Sequence, residues 1–144
     1  MRVLLRRLAG DDRGSISMMV AVMFFGWSVM IGLVVDGGGK LAAIEHADAV
    51  ANEAARAGGQ AIDPTKAIPG TAIVVDPTAA VSAAQTFLAN AGVNGTVVPA
   101  ADGKSIDVTV DTSYQPLFTG AFGVGSWSVT GHGSAQLLTA VVAP

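Results

Sequence analysis

The sequence predicts an α+β protein: an N-terminal transmembrane helix and an alanine-rich stalk helix, then a small antiparallel sheet with one further helix. Three observations predict it. From Gly14 to Val35 there is no Asp, Glu, Lys, Arg or His. Between Lys40 and Ala57 alanines recur at spacings of three and four. Beyond Gly92 the apolar period changes to two, the period of a half-buried strand. The 144-residue chain therefore divides into a basic leader (1–14), a transmembrane helix (15–36), a glycine joint with a stalk helix (37–59) and a small extracytoplasmic α+β domain (60–144).

The uncharged run is long enough to span a bilayer. Its residues, as a helix at about 1.5 Å each, reach about 33 Å, the thickness of the hydrocarbon core. Arg2, Arg6, Arg7 and Arg13 precede it and Asp36 closes it. Arginines on one flank hold that flank in the cytoplasm, so the expected orientation is N-terminus inside and residues 37–144 outside. A cleaved secretory signal is the competing reading. Its apolar region usually runs about 7–15 residues, and the segment Gly32-Leu33-Val34-Val35-Asp36-Gly37 offers no A-x-A-like site. Length favours a retained anchor. Within the span, Ser28 and Gly32 form a small-xxx-small pair that lets helices approach closely. An ordinary anchor with incidental glycines is the plainer reading of the same residues.

Gly37-Gly38-Gly39 reads as a flexible joint at the membrane surface, although a continuous rod is also compatible with the pattern. In the stalk, Ala43, Ala47, Val50, Ala54 and Ala57 share one face, widened by Ile44 and Ala51. Glu45, Asp48, Asn52 and Arg56 lie opposite. An alanine face buries too little area to fold alone. It needs cover, from the chain's own sheet or from a neighbouring subunit. Gly58-Gly59 ends the helix.

Residues 60–75 read as a loop with a short strand, Ala72-Ile73-Val74-Val75. Asp76-Pro77 is a helix start, Asp as N-cap and Pro at the first helical position. Ala80, Ala84, Phe87 and Ala91 share a face, with Val81 and Leu88 beside it, and Gly92 stops the helix. Thr96-Val97-Val98 is a strand, and Ala101-Asp102-Gly103-Lys104 a hairpin turn. Ile106, Val108 and Val110 alternate with Asp107, Thr109 and Asp111. The last strand alternates Trp127, Val129, Gly131, Gly133, Ala135 and Leu137 against a polar set. Gly131 and Gly133 on its inward face leave room for a bulky element such as a helix packed across the sheet. Leu117, Phe118, Phe122 and Val124 form an apolar connection between the strands.

Composition narrows the function. Four of the eight basic residues lie in the first thirteen positions, and the rest of the chain carries no Lys/Arg cluster. This gives nucleic-acid binding little support. With no cysteine, disulfides, thiolate catalysis and Cys-based metal sites are excluded. Asp102, Asp107 and Asp111 lack any calcium-loop spacing and read as a solvated strand face. His46 and His132 fall on polar faces without a second ligand at metal spacing. Ser126, Ser128 and Ser134 carry no nucleophile elbow, and Gly37-Gly38-Gly39-Lys40 lacks the Walker spacing. No catalytic, cofactor or metal constellation emerges.

Arg13-Gly14-Ser15-Ile16-Ser17, the apolar span, Val35-Asp36-Gly37-Gly38 and Ala54-Ala55-Arg56-Ala57-Gly58-Gly59 together resemble the TadE/TadG-like proteins of the tight-adherence (Flp) pilus system. The resemblance covers residues 13–59 well and the remainder loosely. It implies a minor pilin or pseudopilin, in the bacterial cytoplasmic membrane, with lipid and other pilus or secretion-assembly subunits as partners. Some members are cut after a glycine by a prepilin peptidase, and Gly14 with Ser15 matches that place. Processed members commonly carry Glu five residues after the cut, where a carboxylate pairs with a neighbour's new N-terminus. Here Met19 stands there, as in TadG-like members that lack the Glu. Many of those carry a large metal-binding domain for which this chain is too short.

The expected function is structural: a single-pass component of a pilus or secretion assembly whose span and alanine face (Ser28, Gly32, Ala47, Val50, Ala54) pack against other helices. An anchored or secreted extracytoplasmic binding module, using Asp107, Asp111 and Ser128, is the alternative. An enzyme is not expected, because no nucleophile–base or metal set is visible.

Overall fold

The computed structural model describes residues 13–61, 72–137 and 139–141. Most of the expected leader, and residues 62–71 of the expected loop, lie outside them.

One helix, α1 (Arg13–Gly59, 47 residues), runs through both the expected span and the expected stalk. At about 1.5 Å per residue it is about 70 Å long. The triple glycine is therefore helical, which corrects the flexible joint. Each glycine costs a helix up to about 1 kcal/mol relative to alanine, and here tertiary contacts offset that cost. Tyr114 lies so close over Gly39 that a Cβ there would sit 2.5 Å from Tyr114 Cζ. Asp36, one residue before the triplet, is held by the backbone amides of residues 117–119.

The two halves of α1 meet different surroundings. Residues from Ile16 to Val35 are almost all exposed, among them Met18, Phe24, Trp27 and Val34. From Ala47 onward one stripe is buried: Ala47, Ala51, Ala54 and Ala55. The cover is the chain's own sheet. Strands β2 (Asn94–Pro99), β3 (Ser105–Tyr114) and β4 (Trp127–Gln136) form an antiparallel sheet in that order. Val97↔Val108 and Val108↔Gly133 are in register across it. Ile106, Val108, Val110 and Val129 point into the core, as the alternation predicts. Gly131 and Gly133 admit the helix: a Cβ on Gly131 would sit 2.6 Å from Ala47 Cβ, and one on Gly133 2.5 Å from the Ala51 carbonyl oxygen.

A separate antiparallel pair joins β1 (Ala72–Val74) to β5 (Thr139–Val141). Helix α2 (Pro77–Asn90) starts as expected: Asp76 is the N-cap, its Oδ1 accepting from the Thr78 N–H at 2.9 Å. Ala80, Ala84 and Leu88 are its buried residues. Ala91, expected on that face, is exposed because it caps the helix, and Gly92 follows in the left-handed region at φ 68°. The β2–β3 hairpin turns at Gly103 (φ 66°), with Asp102 Oδ1 accepting from the Lys104 N–H at 3.0 Å. Asp48, expected on the solvent side of α1, is half-buried: its Oδ1 accepts from the His132 N–H on edge strand β4 at 2.8 Å. That bond satisfies one of the donors an edge strand otherwise leaves open.

Candidate functional site

The site grows from Asp36, the one charged residue among the buried side chains described. A buried carboxylate is stable only where hydrogen bonds replace its water. Here four donors do so, all from the apolar connection between β3 and β4. Oδ1 accepts from the N–H groups of Leu117 (2.8 Å) and Phe118 (2.9 Å). Oδ2 accepts from the Thr119 N–H (2.7 Å) and the Thr119 hydroxyl (2.8 Å). The connection begins a 3₁₀ turn at this point, Thr119–Phe122. The first N–H groups of a helical turn have no partner within the turn, and successive amides form an anion-binding concavity. Asp36 fills it from another element, with charge-assisted bonds stronger than neutral ones.

Contacts one turn below and one turn above complete the clamp. Residues 32, 36, 39 and 40 lie on one side of α1, because helical neighbours three and four apart share a face. Below, the Phe118 ring lies against Gly32, where any Cβ would strike it. Phe118 and Phe122 pack at 5.3 Å between centroids. Above, Tyr114 covers Gly39 and packs on Trp127 at 6.1 Å. Lys40 Nζ sits 5.6 Å from the Trp127 ring centroid, within cation–π range. Pro116, before the clamped segment, is buried.

The residues singled out from sequence distribute differently. Gly14 and Ser15 are exposed at the start of α1. Ser28 is half-buried and its hydroxyl donates to the Phe24 carbonyl at 2.9 Å, so its hydrogen bond stays within the helix. Gly32, expected to receive another transmembrane helix, receives Phe118 of its own chain. Ala47 (1% exposed) and Ala54 (0%) are sealed under the chain's own sheet, with Val50 half-buried beside them. The alanine face is thus not free to meet a neighbouring subunit. Small side chains there serve close approach of helix and sheet within one chain.

Asn52 of α1 and Asp107, Val108, Thr109, His132, Gly133 and Ser134 of β3 and β4 line an open cleft of about 330 Å³. Asp111 Oδ1 accepts from the Thr130 hydroxyl at 3.0 Å, and Ser128 and Asp107 are exposed. Among the described residues no group of three or more His, Asp or Glu could hold a metal ion.

Sequence reasoning missed the clamp because it took Asp36 only as the end of the span. The available signal was an isolated carboxylate between Val35 and Gly37. Its partners are backbone amides, which leave no mark in the side-chain pattern.

Helix α1 is long and apolar enough to cross a membrane, with a mean hydropathy of 2.3 in its most apolar window. Residues 14–61, about a third of the chain, match the Tad family model, described as "Putative Flp pilus-assembly TadE/G-like". No curated protein and no solved structure matches the chain.

Proposed function

We propose, from the TadE/G-like segment at residues 14–61, that this chain is a minor pilin or pseudopilin: a single-pass structural component of a Flp-type pilus or an associated secretion assembly. It sits in the bacterial cytoplasmic membrane with the basic leader inside and the α+β domain outside. The bare half of α1 is its surface for lipid and for the helices of neighbouring subunits. Its role is assembly rather than catalysis.

The observation that carries this reading is the division of α1. One unbroken helix is exposed and apolar over its first half and locked beneath a folded domain over its second. Such a helix carries the domain at a set angle to whatever packs around the span. The clamp also supports a retained anchor over a cleaved signal. Cleavage near Asp36 would remove Gly32 from under Phe118 and open the helix beside the carboxylate that holds residues 117–119. Processing after Gly14 would leave every one of these contacts intact.

The test is the intact mass of the membrane-extracted protein, combined with cross-linking in the membrane from a photoreactive group at Phe25 on the exposed span. Full-length mass supports a simple anchor, and loss of residues 1–14 supports prepilin-type cleavage before Ser15. Loss of everything through about Asp36 refutes the retained anchor. Cross-links to pilus-assembly subunits support the structural role, and a chain recovered free of any protein cross-link counts against it.

A further inference from the structure

We propose that the β3–β4 connection is a second membrane contact, a loop seated in the outer leaflet beside the span with its apolar side chains against lipid acyl chains. The inference rests on the membrane-spanning reading of α1 and adds a lipid-binding surface to it.

Four observations place the loop there. First, from Thr112 to Gly131 the chain has no Asp, Glu, Lys, Arg or His. Second, its apolar side chains are not spent on the core: Leu117 is 74% exposed, Phe122 69% and Val124 43%. Third, the loop is fixed in depth. Phe118 lies on Gly32, inside the apolar run of α1, and Asp36 holds the amides of residues 117–119. Gly32 is about 6 Å further down the helix axis than Asp36, at about 1.5 Å per residue. Fourth, the residues at the opposite edge of the clamp are those favoured at a membrane–water boundary. Tyr114, Trp127 and Lys40 pack together about 6 Å above Asp36 along the axis. Aromatic rings with one polar end and lysines with long apolar stems occupy the headgroup level.

The ladder along α1 then has a consistent reading. Lys40, Trp127 and Tyr114 lie among headgroups, and Asp36 is sealed by backbone donors just beneath them. Phe118, Leu117 and Phe122 reach into the acyl region. Between loop and span runs an open groove of about 430 Å³ lined by Ser28, Ile31, Gly32, Val35, Leu117 and Phe118. Its one polar side chain, Ser28, bonds back to its own helix, so the groove suits a hydrocarbon chain. It is continuous with the exposed apolar surface of the span, which argues for lipid as the occupant of both.

The chain contains no cysteine, so single-cysteine variants of the full-length protein give unambiguous labelling. Phe122→Cys, Phe24→Cys and Asp107→Cys are each labelled with an environment-sensitive nitrobenzoxadiazole fluorophore. Each is reconstituted in phosphatidylcholine vesicles with and without acyl-chain spin labels. The expected result is at least twofold lipid quenching at positions 122 and 24, with protection from aqueous iodide, and the reverse at position 107. Iodide quenching without lipid quenching at position 122, while position 24 stays lipid-quenched, overturns the loop contact and leaves the span standing. Shielding of position 122 from both quenchers marks a second protein copy as the occupant and also overturns it. Absence of lipid quenching at position 24 overturns the membrane-spanning reading itself.

Discussion

Replacing Gly131 with alanine tests the packing that turns a marginal helix into a rigid one. The added Cβ would come 2.5 Å from the Asp48 nitrogen and 2.6 Å from Ala47 Cβ. Carbon atoms pack best at about 3.5–4.0 Å, so helix and strand would have to separate by about 1 Å. The obstacle is largely helix backbone, which cannot rotate aside as a side chain can. Overpacking of this kind costs about 1–3 kcal/mol. For a domain of about 100 residues each kcal/mol moves the melting temperature by about 4–8 °C. A loss of at least about 4 °C is therefore expected for Gly131→Ala. Gly38→Ala is the matched contrast. It lies in α1 with nothing within 4 Å of its added Cβ, and alanine exceeds glycine in helix propensity by up to about 1 kcal/mol. The same methyl group should raise the melting temperature there. The assay is thermal unfolding of the full chain in detergent, followed by near-ultraviolet circular dichroism from Trp127 and Tyr114. An unchanged or raised value for Gly131→Ala would refute the close helix–strand crossing. A lowered value for Gly38→Ala would refute a helical triple glycine.

Two further substitutions probe the clamp and the alanine face. Asp36→Asn replaces one acceptor oxygen with a donor that faces the donors of residues 117–119. Hydrogen exchange of those amides should accelerate by about an order of magnitude or more, and unchanged protection would show that the carboxylate does not hold the loop. Ala54→Glu puts a charge at a fully buried position under the chain's own sheet. It should destabilise the domain by about 4 kcal/mol or more, so any lost partner recovery would accompany lost near-ultraviolet dichroism; a fully folded variant that loses partners would return Ala54 to a subunit interface.

Local chemistry was legible in the sequence where the governing interactions are local. Asp76-Pro77 specifies a helix start by capping geometry alone, and the alternation of Ile106, Val108 and Val110 fixes which side of β3 is dry. Gly131 and Gly133 revealed a close crossing because two missing side chains on an inward face leave a space that something must fill. The course of α1 through Gly37-Gly38-Gly39 was not decidable in this way. Propensity argues against helix there, and the compensation comes from Tyr114, 75 positions after Gly39. The alanine face was read correctly as a surface in need of cover, but composition cannot say whether that cover belongs to the same chain.

The same contacts that hide Ala47, Ala54 and Gly32 decide which parts of the span remain open to a neighbouring helix. A neighbouring helix approaching Ser28 and Gly32 from the loop side would have to displace Phe118, and with it the segment whose amides satisfy Asp36. Displacement would leave a carboxylate at the membrane edge without its donors, a state far less stable than the clamped one. Close helix packing near the Asp36 end of the span is thereby confined to the faces of α1 away from the loop. Deeper in the span no such restriction applies. Gly26 has nothing within 4 Å of where a Cβ would sit, and Phe24, Phe25 and Trp27 around it are exposed. Because Asp36, Gly39 and the sheet crossing fix the domain's rotation about α1, a neighbour that packs at Gly26 also meets the sheet domain in one orientation. The clamp makes the angle between span and domain a property of the chain itself.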